Sequence, residues 1–150
     1  MSKITMRNNE VTLVVDFLME LELPARDSRL RTRFVRQLQE HYNNIVTEER
    51  EQLIEEFAKR DENGERVLET RKDEKGEEVQ VMLLDDPEAF NKEMTELLME
   101  KYVITVDENN EKMLKSVTNA VLNYDGVLSG VKALQYDRIC EIFEDLEELE

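Results

Sequence analysis

The chain of 150 residues has no tryptophan, one cysteine, one histidine, two prolines and four glycines. Each scarcity excludes something. A lone thiol, Cys140, cannot close an internal disulfide or build a cysteine-based zinc site. His41 would have to serve any Ser-His-Asp or Cys-His pair, yet it lies between Glu40 and Tyr42 in a helical pattern, so a partly exposed helical histidine is expected. So few glycines and prolines favour long regular elements over a loop-rich sandwich. No stretch approaches the roughly 20 apolar residues that span a bilayer, and "MSKITMRNNE" has no continuous apolar core of the kind a signal peptide carries. The phosphate-cradling and metal-binding patterns GxGxxG, GxxxxGK and HExxH are missing as well. The expectation is a soluble protein of a reducing compartment, with no cofactor, no catalytic residue and no metal site.

What the chain has in excess is negative charge: 36 Asp and Glu against 20 Lys and Arg, net −16. The charge is uneven. Residues 1–47 are net +1 and residues 48–150 are net −17. A surface of that sign repels nucleic acid at long range, so a broad nucleic-acid-binding role is disfavoured. Apolar residues make up 40% of the chain and recur with regular periods, which a disordered polyelectrolyte would lack.

Those periods predict one predominantly helical α+β domain of about five helices. "KITMR" (3–7) alternates as a short strand. Asn8 or Asn9 is placed to cap a helix to about Leu21, with Val11, Val14, Val15 and Leu18 on one stripe. After Pro24 a helical pattern runs from about Asp27 to Lys59 through Leu30, Phe34, Leu38, Tyr42, Ile45, Leu53 and Phe57. A rod of that length measures roughly 45–50 Å, and covering its apolar stripe would call for a second chain. "DENGERV" (from Asp61) and "DEKGEEV" (from Asp73) read as two turns of one meander, with a β-hairpin at about 66–84 inside an insertion of about 61–85. Neither turn has the acidic spacing of a calcium loop. Asp86 and Pro87 start another helix with Phe90, Met94, Leu97 and Leu98 inward. "YVITV" (102–106) is strand-like, which leaves two pairings open for this strand and for 3–7: with the hairpin or with each other. A helix with Met113, Leu114, Val117, Ala120 and Val121 inward follows "DENN". A last helix capped by Ser129 aligns Tyr136, Ile139, Phe143 and Leu146 and carries Cys140 as a packing residue. Its acidic end, "EIFEDLEELE", opposes the helix dipole and is expected to fray.

The most distinctive segment is "RDSRLRTRFVR" (26–36), five of the chain's eleven arginines in eleven residues. Arg29, Arg33 and Arg36 share one helix face, Arg26 lies a turn earlier and Arg31 points elsewhere. In so acidic a protein, carboxylates are the default partners of Arg26, Arg29, Arg33 and Arg36, within the chain or on another protein. Nucleic-acid phosphate is the weaker alternative.

The order of an early apolar helix, "SRLRTRFVRQL" (28–38), "FAKRDENGE" (57–65), "FNKEMTELLMEKYVI" (90–104) and "LSGVKALQYDRICEIFEDL" (128–146) resembles a family of small uncharacterised proteins of tailed bacteriophages and prophages. The resemblance covers most of the chain and rests on helices and charges, without a chemical signature. It implies a phage context and no enzymatic activity: a virion component, assembly factor or scaffold, in the host cytoplasm or associated with the virion. The implied partners are another phage protein or a second copy through the long helix. The charge offers a different class of reading, an acidic inhibitor that imitates nucleic acid. An enzyme with an unrecognised carboxylate or metal site is the third.

Overall fold

The computed structural model describes residues 2–146, and their contacts divide into two units. The first comprises the residues up to Asn44 and those from Met99 onward; the second is Ile45–Leu98. The element order is β1 (Lys3–Arg7), α1 (Val11–Glu20), α2 (Ala25–His41), α3 (Glu48–Phe57), β2 (Leu68–Lys72), β3 (Glu78–Met82), α4 (Pro87–Met99), β4 (Lys101–Thr105), α5 (Glu111–Leu122) and α6 (Gly130–Glu144). The chain is α+β and predominantly helical, as its periodicity predicts.

In the first unit β1 and β4 pair antiparallel, from Lys3 opposite Thr105 to Arg7 opposite Lys101. The strand-like ends therefore pair with each other, and the hairpin forms a separate two-stranded sheet. Alternation sends Ile4, Met6 and Ile104 into the core. There they join Val11, Val14 and Leu18 of α1, Phe34 and Leu38 of α2, Leu114 and Val117 of α5 and Phe143 of α6. The rings of Phe34 and Phe143 meet edge to face at 6.0 Å.

The start of α1 differs from the expected Asn cap. Asn8 to Glu10 form a turn of 3₁₀-helix, and the Arg7 N–H donates to Glu10 Oε1 at 2.9 Å. Asn8 is buried, and its Oδ1 accepts from His41 Nε2 at 2.7 Å, so its side chain ties α2 to the 3₁₀ turn that follows β1. At α4 the expected cap forms: Asp86 Oδ1 accepts the Ala89 N–H at 3.1 Å, with Pro87 in first place. Ser129 precedes α6 without donating or accepting a side-chain cap bond. Part of the expected frayed end of α6 lies beyond residue 146, outside the described residues.

The predicted helix of 27–59 is helical backbone from Ala25 to Phe57, interrupted by π-helix at Tyr42–Thr47. "NNIVT" explains the interruption: two asparagines and three β-branched residues are weak helix formers in succession. The boundary between the units falls there. Leu30, Phe34 and Leu38 of α2 are already buried by their own chain.

The second unit contains α3, the hairpin and α4. Its buried apolar side chains among the described residues are Val46, Ala58 and Leu97. Phe57 and Phe90 add an edge-to-face contact at 5.9 Å. The two predicted turns are near copies. Asp61 Oδ1 accepts from the N–H groups of Asn63 and Glu65, and Asp73 Oδ1 accepts from those of Lys75 and Glu77. Gly64 and Gly76 supply the left-handed backbone at φ +78° and +79°. Beyond β2 and β3 the meander closes on itself. Lys59 N–H donates to Leu83 O, Leu83 N–H to Val67 O, and Val67 N–H to Lys59 O, at 2.9–3.0 Å.

Candidate functional site

The arginine segment lies on α2, whose first turn follows Pro24. Burial of Leu30, Phe34, Val35 and Leu38 fixes the helix's rotation. Arg26, Arg29, Arg33 and Arg36 are consequently all exposed. Arg26, Arg29 and Arg33 line a shallow concavity of about 390 Å³ with Lys112 of α5, floored by Ala25 and Leu30. The N–H groups of a first helical turn have no intrahelical acceptors, so the N-terminus of α2 adds positive potential to the same place. Asp27, the acid within the segment, accepts a hydrogen bond from Ser116 Oγ at 2.9 Å.

Among the described residues, no carboxylate lies within 4.0 Å of Arg26, Arg29, Arg33 or Arg36. The within-chain pairing expected of this face is therefore not found there. The physical reason is placement. The nearest carboxylate in sequence is held by Ser116, while the arginines that do find acids, Arg60, Arg66, Arg71 and Arg138, belong to other elements.

Arg31 has a different role, one invisible to helical spacing. Its guanidinium donates to Leu18 O at 3.0 Å, to Leu21 O and to Ser28 Oγ at 3.0 Å. It thereby satisfies carbonyls at the C-terminus of α1, where a cation also complements the helix dipole. Arg138 was likewise unforeseen. It grips Glu10 in a two-pronged contact, Nε to Oε2 at 2.5 Å and Nη2 to Oε1 at 3.0 Å, and reaches Glu141 Oε2 at 3.1 Å. The hydrogen bond from Arg138 holds the Glu10 carboxyl below the usual carboxylate range, against an opposing push from burial.

His41 is half-buried, as expected, but has more to do than sit on a helix. Its ring stacks on Tyr102 of β4 at 3.6 Å and 2°, and the Tyr102 hydroxyl accepts from Gln37 Nε2 at 3.3 Å. Burial lowers the imidazole's pKa. Cys140 is half-buried against the core, in keeping with a packing residue. Among the described residues, no three His, Cys, Asp or Glu side chains converge as a metal site would require, and no helix is long and apolar enough to cross a membrane. What the arginine concavity can do chemically is bind oxyanions by charge-assisted, bidentate hydrogen bonds. No family model, curated protein or solved structure matches the chain.

Proposed function

We propose that this protein acts without catalysis, through protein–protein contacts, as an accessory protein of a tailed phage or prophage: a minor virion component, an assembly factor or a scaffold. The observation that carries the reading is the arginine face. Arg26, Arg29, Arg33 and Arg36 follow one another at spacings of three and four residues, and each like-charged neighbour at that spacing costs a helix about 0.2–0.5 kcal/mol. In a chain of net −16 these cations have no acid within 4.0 Å among the described residues. A carboxylate-bearing surface on another protein relieves that repulsion and meets the guanidinium fork bidentately.

Cross-linking followed by mass spectrometry in phage-producing cells identifies the partner, and charge reversal tests the face. Arg29→Glu with Arg33→Glu should abolish the complex while leaving the circular-dichroism spectrum and melting curve close to wild type. Reversing the opposing acids on the partner should restore it. Full retention of the complex by the doubly reversed variant would sink the arginine reading.

The −17 carried by residues 48–150 favours a second reading, an acidic inhibitor that imitates nucleic acid. It predicts competition with DNA for a host nucleic-acid-binding protein, strongest at low salt. Undetectable competition there would remove it.

A further inference from the structure

A second concavity, of about 240 Å³, opens between α1 and α6, away from the arginines. Leu13 and Phe17 of α1 and Leu21 just beyond its end face Tyr136 and Ile139 of α6 across it, and Tyr124 lines it from the segment between α5 and α6. Three rings stand together: Phe17 lies 5.3 Å from both Tyr124 and Tyr136, and the tyrosines are 5.6 Å apart. Gly126 makes this arrangement available, because a Cβ there would collide with the Tyr124 ring folded back against the chain. Tyr136 donates its hydroxyl hydrogen to Val121 O at 2.7 Å, which locks that ring in place.

The rim is polar and asymmetric. Asp16 and Glu20, one turn apart on α1, are exposed and have no ion pair among the described residues. Lys132 and Gln135 stand on the α6 side. Beside that rim is an apolar shelf. Val131 and Leu134, one turn apart on α6, are 68% and 74% exposed, and Val127, in the segment before α6, is 99% exposed. Val131 and Leu134 thus leave an apolar strip of α6 uncovered.

We propose that this is the docking surface for a basic amphipathic helix of a partner protein. Its apolar side chains cover Val127, Val131 and Leu134. One Lys or Arg side chain lies across the mouth of the pocket, with its stem against Phe17 and Tyr124 and its charged head at Asp16 and Glu20. Aromatic walls suit such a stem and attract its cation. The pocket is smaller than the roughly 300–1,000 Å³ of an ordinary ligand site, so it admits one long side chain and not a folded element. Charge selects the partner. A net charge of −16 steers cationic segments toward the protein and repels a second copy. Three exposed side chains also fall well short of the roughly 800 Å² per partner that a stable dimer buries.

The test uses the full chain and two synthetic peptides of about four helical turns. Both are made of Leu, Ala and Arg in equal composition; one is patterned as an amphipathic helix and the other is scrambled. Calorimetric titration should show the patterned peptide binding at least about tenfold more tightly, a difference of about 1.4 kcal/mol. Val131→Ser with Leu134→Ser should remove most of that preference. Asp16→Asn with Glu20→Gln should weaken binding about five- to tenfold, whereas Glu74→Gln with Glu77→Gln, an equal loss of charge on the hairpin turn, should leave it within about twofold. All six sites are exposed, so folding survives the substitutions. Absence of binding, equal affinity for the scrambled peptide, or equal weakening by the two charge-removing pairs would each overturn the proposal. None of these outcomes bears on the arginine face of α2.

Discussion

At the scale of single residues, the charged contacts that matter most to folding involve side chains far apart in sequence. Glu10 and Arg138 are 128 residues apart and form the two-pronged ion pair of the first unit. Because Glu10 titrates below its unfolded value, its contribution is present above the unfolded pKa and is lost as pH falls through the folded one. Glu10→Gln should therefore destabilise the protein by about 1–2 kcal/mol at pH 7, the lower part of the range for charged hydrogen bonds because Arg138 is partly exposed. The difference from wild type should shrink toward zero in denaturation curves at acid pH. His41 has the same sign for a different reason. Burial favours its neutral form, so the folded protein resists protonation. Stability is full above the unfolded imidazole value and declines as pH falls below it. A histidine NMR titration should place its midpoint below that of a free imidazole, and His41→Ala should flatten this part of the stability–pH profile.

At the scale of elements, the meander of the second unit rests on its turns, since β2 is exposed along its whole length and β3 along most of it. An isolated two-stranded hairpin is marginal in water. Gly64 and Gly76 have open space where a side chain would sit, so replacement costs only the backbone conformation. Gly64→Ala and Gly76→Ala should each cost about 1–2 kcal/mol in local opening. Amide exchange across Leu68–Met82 should report this, with little effect on α1 or α5. The π-helical turn at Tyr42–Thr47 is the other element-scale feature. Its asparagines and β-branched residues lower helix propensity, and its Val46 is buried.

At the scale of the molecule, apolar burial and charge are distributed in opposite senses. The large core cluster belongs to the first unit. Ile45–Leu98 carries eighteen acidic against eight basic residues and buries little apart from Val46, Ala58 and Leu97. The two units should then differ in stability. Hydrogen exchange should find α1, α2 and α5 opening only globally and the meander opening at far lower cost. Phe34→Ala, in the first core, should cost about 3–5 kcal/mol of global stability. Phe90→Ala should act chiefly on the second unit, and coincident loss of both units in that variant would contradict the division.

The secondary-structure elements follow from local sequence. Period and punctuation located β1, the helices, both Asp–Gly turns and the Asp86–Pro87 cap, because these depend on residues within a turn or two of one another. The sequence also set Arg29, Arg33 and Arg36 on one helix face with Arg26 a turn earlier, but their exposure follows from the way the fold buries Leu30, Phe34 and Leu38. Which partners those elements take depends on the three-dimensional fold. Pairing of β1 with β4 brings together residues about a hundred positions apart. Capping of α1 by Arg31, the His41–Asn8–Tyr102 contact and the Glu10–Arg138 pair each join elements that helical spacing treats independently. The same holds for the arginine face. Charge totals made carboxylate pairing within the chain the default, but a bidentate ion pair forms only at hydrogen-bond distance and in particular geometry. The fold places Lys112, and no described carboxylate, beside those arginines.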